Sequence, residues 1–163
     1  MSYSNQVSQE EFDQLLKDLN HRVWEVRRDS CERLGENGDQ RAVVPLVRVL
    51  HDGVGAVRFA AADALGKLGD QSAVPALIAL LDSNDFGSHG PVIEALTDLK
   101  AQEAIPYFIH FLRDDDARIR GLAANALMQL TRQFIPFKAK GSPEEREDAV
   151  QQWESWWEKI GNQ

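Results

Sequence analysis

The chain has 163 residues and a formal charge of -8 at pH 7, with 43% hydrophobic and 27% charged residues. That length is one domain's worth of sequence and allows a sizeable core. The acid excess speaks against a nucleic-acid groove, which needs clustered Lys and Arg, and no apolar run approaches the ~20 residues that span a bilayer. Cys31 is the single cysteine; it has no internal partner and suits a reducing compartment. The opening Met-Ser-Tyr-Ser-Asn-Gln lacks a basic stretch ahead of an apolar core, so a cytoplasmic protein is expected.

Along the chain one pattern returns every 31 residues. Leu34, Leu65, Leu96 and Leu127 mark it, Val26-Arg27 returns as Val57-Arg58 and later as Ile119-Arg120, and Gly38-Asp39 returns as Gly69-Asp70. Pro75 returns as Pro106, while Pro45 stands one residue out of phase. A fixed period of this size signals stacked repeats, none of which buries its apolar face alone. Each repeat reads as two helices. The first type holds Pro75 in its opening turn behind Asp70 as N-cap, with an apolar stripe at 74, 77, 78 and 81. The second type follows the Val-Arg pair, carries alanines at 60, 61 and 64, and ends at Gly69. Sustained apolar–polar alternation, the strand signal, is absent.

The template predicts helix pairs at 9–18 with 24–37, 40–51 with 54–68, 71–82 with 89–100, and 102–113 with 116–132. The expected fold is an all-α, right-handed α-α superhelix of four pairs. Residues 1–8 read as a flexible N-terminus, 9–132 as the solenoid and 133–141 as a connector that breaks the period. Residues 142–163 read as a capping helix opened by Ser142-Pro143-Glu144-Glu145. Trp153, Trp156 and Trp157 share one face of that helix and are expected to cover the last pair. The alternative for them is a partner hot spot.

The run Ala-Val-Pro-Ala-Leu-Ile-Ala-Leu-Leu, together with Val-Arg-Phe-Ala-Ala-Ala-Asp-Ala-Leu-Gly-Lys-Leu-Gly-Asp, resembles the short HEAT repeat. More narrowly it resembles the subtype named after phycobilisome lyases, over residues 9–132. The resemblance implies a polar ladder of Asp and Arg along the stack. Asp52 with Arg58, and Asp114 or Asp116 with Arg120, match its positions, and Asp18 with Arg27 matches loosely. His89 replaces the Arg in the third pair. The resemblance also implies a range of roles, from bilin lyase subunits to adaptors, and a fold with that range does not define an activity.

The second helices line the concave face of such a stack. Positions equivalent to Phe59, Ala62, Asp63 and Gly66 are Arg28, Cys31, Glu32 and Gly35 in the first pair. They are Gly90, Ile93, Glu94 and Thr97 in the third, and Gly121, Ala124, Asn125 and Met128 in the fourth. The column Glu32, Asp63, Glu94, Asn125 beside apolar Phe59, Ile93 and Met128, with Arg28 at its start, suits a protein partner with basic and apolar surface. The alternative is an ordinary solvated face. Adjacent helices stand ~10 Å apart, too far for a paired-carboxylate catalyst. His21, His51, His89 and His110 lack both ligand spacing and the His-Glu dipeptides of an iron-dependent HEAT family. The expectation is therefore a monomeric, non-catalytic adaptor without cofactor or metal, not bound to nucleic acid or membrane. The runner-up is a bilin lyase-like factor acting on phycobiliproteins. The irregular 84–91 segment and Cys31, one turn after Arg28, have no assigned role.

Overall fold

The computed structural model describes residues 7–82 and 89–161, all helix, turn or loop. Most of the 84–91 segment, Phe86 and Ser88 included, lies outside the described residues. The fold is the all-α helix-pair repeat that the period implies, and it divides into two compact units, 1–99 and 100–163.

The first unit holds α1 (Gln9–Asp18), α2 (Trp24–Asn37), α3 (Val43–Val49), α4 (Gly55–Leu68), α5 (Val74–Leu81) and α6 (His89–Asp98). Glycines in the left-handed region, Gly38 at φ 78° and Gly69 at φ 72°, end α2 and α4. The helices α3 and α5 each follow a single 3-10 turn, Gln40–Ala42 and Gln71–Ala73. Asp39 and Asp70 cap those turns, accepting the N–H of Arg41 at 2.9 Å and of Ser72 at 2.8 Å. Sequence reasoning passed over the glutamines that open the turns. Gln40 Nε2 donates to the carbonyl of Leu68 at 2.8 Å, and Gln71 Nε2 to that of Leu99 at 2.6 Å. Each bond ties the start of a pair to its end and gives a helix-terminal carbonyl the partner it would otherwise lack.

Within this unit α2 packs on α4, and α4 on α6. The approach is close because one side chain is missing from each contact. A Cβ on Gly35 would lie 2.7 Å from Ala64 Cα, and one on Gly66 would lie 3.1 Å from Ala95 Cα.

The second unit holds α7 (Ile105–Phe111), α8 (Ala117–Thr131) and α9 (Pro143–Gly161). Gln102 repeats the glutamine tie, donating to Leu130 O at 3.2 Å. The helix α9 opens with a capping box: Glu145 N–H donates to Ser142 Oγ at 3.2 Å, and Ser142 N–H to Glu145 Oε2 at 3.0 Å. It packs on α7, with Val150 and Trp153 fully buried. Arg113, just past α7, clamps it from outside by bonding Glu147 and Glu154 at 2.6 Å each; these two carboxylates push its pKa up.

The three tryptophans do not share one role: Trp153 is sealed, whereas Trp156 and Trp157 are half-buried. Trp153 meets Trp156 edge to face at 5.6 Å, and its buried indole N–H has no acceptor among the described residues. Residues 132–138 carry no regular structure.

Gly35→Ala gains ~1 kcal/mol of helix propensity but forces α2 off α4, so urea denaturation should show a net loss of about 1–3 kcal/mol. Gly121→Ala should be neutral or stabilising, since its Cβ would meet only Ala139 Cβ at 3.9 Å. Trp153→Ala should cost about 3–5 kcal/mol and Trp157→Ala clearly less. Trp153→Phe should fall well short of the alanine loss, because removing the orphan donor offsets part of the lost packing.

Candidate protein-binding face

The ladder fixes how the second helices sit. Arg27, in the first turn of α2, holds the Asp52 carboxylate with two bonds, Nε to Oδ2 at 2.6 Å and Nη2 to Oδ1 at 2.9 Å. Its Nη1 donates to His21 O at 2.7 Å. Asp52 Oδ1 also accepts the Val54 N–H at 2.9 Å, which closes the loop into α4 and turns the carboxylate toward α2.

The rung therefore runs from the Arg of one pair to the Asp of the next, correcting the expected pairing of Asp52 with Arg58 and of Asp18 with Arg27. Arg58 Nη1 reaches the backbone carbonyl of Asp52 at 2.8 Å. Asp18 accepts from Gln14 at 3.0 Å.

In the second unit Arg120 Nη1 likewise donates to the carbonyls of Asp114 and Asp115, at 2.6 and 2.8 Å. The Asp114 carboxylate takes the Asp116 N–H at 2.7 Å, and Asp116 caps α8 through the Arg118 N–H at 2.7 Å. Neither carboxylate forms the expected rung. The cause matches that at Asp52: an Asx turn claims the carboxylate and leaves the carbonyls to the arginine. His89, in the Arg position of the third pair, is buried at the start of α6.

With that orientation, only part of the expected lining reaches solvent. In the first unit Phe59 is 50% exposed, and Glu94 is exposed. Asp63 pairs with Lys67 at 2.7 Å, while Arg28 bonds Asp29 at 2.6 Å, stands 3.6 Å from Glu32 and lies over the Trp24 ring at 5.4 Å. Glu94 forms no ion pair among the described residues.

Ile93 corrects the expectation: it is 1% exposed, and its equivalents Cys31 and Ala62 are as deeply buried. Gly35 and Gly66 are buried too. These positions lie on the flank where one second helix meets the next, so the open stripe is narrower than the sequence arc and follows the Phe59 and Asp63 positions. In the second unit Asn125 is exposed and Met128 half-buried. Cys31 is no nucleophile: burial, with Asp52 and Glu32 adding to it, pushes its thiol up to about 12.

The chain is a short HEAT-repeat protein, residues 12–87 matching the family described as HEAT repeats. Its repeats are of the phycobilisome-lyase type. The chain is similar to a solved structure, the complex of CpcE and CpcF of phycocyanin lyase from Nostoc sp. PCC7120. The TM-score is 0.70 with 32% identity, over 77% of this chain and 55% of that one. Human deoxyhypusine hydroxylase in complex with glycerol shares the fold at 21% identity and TM-score 0.66, over 78% of this chain and 46% of that one. An engineered protein shares it at 21% identity and TM-score 0.58, over 88% and 68%. The chain thus spans about half the length of the first two. No curated protein matches its sequence.

The Arg27–Asp52 bridge yields a pH test. Asp52 is held below the ordinary carboxylate range, first by the Arg27 hydrogen bonds. A depressed folded-state pKa stabilises above the unfolded value and loses that contribution as pH falls through the folded one. Asp52→Asn should therefore lower the melting temperature at pH 7, and the gap to wild type should close on acidification below about pH 4.

Proposed function

We propose that this chain is a non-catalytic protein-binding scaffold whose second-helix face seats a partner of apolar and basic surface. The observation that supports this best is Phe59, half exposed in the middle of α4. One turn on stands Asp63, and one period on stands Glu94, which forms no ion pair among the described residues. An exposed aromatic rimmed by carboxylates offers apolar area for affinity and charge for selection. The Arg28 and Lys67 pairs on this face are exposed and worth little each, so incoming cations can replace them. The scaffold acts as a monomer in the cytoplasm, without a cofactor of its own.

A second reading is favoured by the 32% identity to phycocyanin lyase, where CpcE and CpcF form a complex. On that reading the chain works with another subunit on a phycobiliprotein, and the face described above holds one of them.

Asp63→Lys combined with Glu94→Lys should abolish capture of the partner from a native lysate while far-UV circular dichroism stays unchanged. Capture that survives the double reversal removes this face from consideration. Co-expression with a phycobiliprotein and a bilin separates the two readings: covalent chromophore addition supports a lyase, and bare co-purification supports a scaffold.

A further inference from the structure

The helix α9 does more than close the array. It packs on α7 with Val150 and Trp153 fully buried. One turn beyond Trp153 the seam between the two helices opens into a groove of about 300 Å³. Pro106 and Ile109 of α7 line one side of it and Trp157 of α9 the other. Ile109 is buried, whereas Pro106 is exposed and Trp157 half-buried. Packing therefore accounts for Trp153 and leaves part of the Trp157 indole open beside apolar side chains.

Three charged side chains complete the lining: Arg113, Glu154 and Glu158. Arg113 is not a cation in search of a partner. It holds Glu147 and Glu154 at 2.6 Å each, and two carboxylates on one guanidinium leave the triad with one negative charge in excess. The triad stays ionised, because these bonds push Arg113 up and Glu147 down. Glu158 brings a further carboxylate one turn on from Glu154. The last turn of α9, ending at Gly161, adds the partial negative charge of its carbonyls at the same end. Lys159, the only base among residues 152–161, lines a different hollow with Trp156. His110 also lines the groove; it is exposed and meets the Phe111 ring edge-on at 5.9 Å.

We propose that the α7–α9 groove is a docking pocket for an arginine side chain of a partner protein. The guanidinium rests on the Trp157 indole as a cation–π pair. Its methylene stem lies along Pro106 and Ile109, and its N–H groups reach the Glu154 and Glu158 carboxylates. Arginine suits the groove better than lysine, because its flat, weakly hydrated cation both stacks on an aromatic ring and forks to carboxylates. An acidic side chain meets a rim of its own sign. No residue of the groove belongs to the second-helix face, so the pocket stands or falls separately from the reading of that face as a partner site.

The probe is acetyl-Gly-Arg-Gly-amide, titrated into the full chain uniformly labelled with 15N. The four tryptophans give four indole N–H signals, each assigned by a Trp→Phe variant. The Trp157 signal and the backbone amides of residues 154–158 should shift saturably, with a Kd of about 1–10 mM for so small a ligand, while the Trp24 signal stays still. The matching citrulline peptide, close in shape but uncharged, and the glutamate peptide should leave them unmoved. The lysine peptide should bind about threefold more weakly or worse. Glu158→Gln, at an exposed position, should weaken arginine binding about threefold. Trp157→Leu, read through the backbone amides, should weaken it about tenfold. Far-UV circular dichroism of both variants should match that of the wild type.

Trp157 signals that ignore the arginine peptide, or that move as far with citrulline or glutamate, overturn the proposal. Unchanged affinity in Trp157→Leu does the same. A Trp157 shift on concentrating the peptide-free protein also overturns it, and assigns the groove to a second copy of this chain.

Discussion

Close approach of the second helices is the constraint on which the rest of the structure depends. Gly35 against Ala64 and Gly66 against Ala95 bring backbone to within van der Waals distance, and a side chain at either glycine would wedge the layer open. The close fit places Val57, Ala60, Ala61, Leu65, Ile93 and Leu96 in one apolar seam, each at most 2% exposed. It also fixes how each helix is rotated, and so decides which stripe faces solvent. The face that carries Phe59 and Asp63 is what remains after packing has claimed the other sides.

Polar groups enforce the same arrangement from the edges. A buried or half-buried arginine recurs at the start of the second helices, and in each case an Asx turn sets what it finds. Where the carboxylate projects toward the preceding pair it receives a two-bond clamp, as Arg27 and Asp52 show. Where the turn keeps the carboxylate for its own N–H, the arginine gathers carbonyls, as Arg120 does. The guanidinium's five donors in a fixed fork make both solutions available to one residue type. Arg120 uses a further donor on the carbonyl of Ala139, so a ladder position also holds the segment between α8 and α9.

The fold was legible because its signals are local and repeated: capping aspartates, first-turn prolines, terminal glycines and one leucine in register. Helices came out where the period put them, α2 at Trp24–Asn37 without a residue's difference. The face was less legible. Positions 62 and 66 lie one step round the helix from 59 and 63, and only the partner helix decides that Ile93 is core and Glu94 is surface. The ladder misled because a side-chain match says nothing of which end of an aspartate faces the arginine. The glutamine ties were readable, since Gln40, Gln71 and Gln102 keep the period. They went unread because an amide in a turn looks like solvated surface.

Those ties bear on how the chain reaches its native state. Gln40 to Leu68, Gln71 to Leu99 and Gln102 to Leu130 each span 28 residues, so these three pairs close loops of the same size. Loop-closure entropy depends on length, and the three pairs therefore start from the same entropic cost. None must wait for a distant segment before it forms. Contacts that stay within a pair or reach only the next one keep the mean sequence separation low, the regime of rapid folding. A chain of this kind has no obligatory first step: order begins in whichever pair closes and spreads to its neighbours.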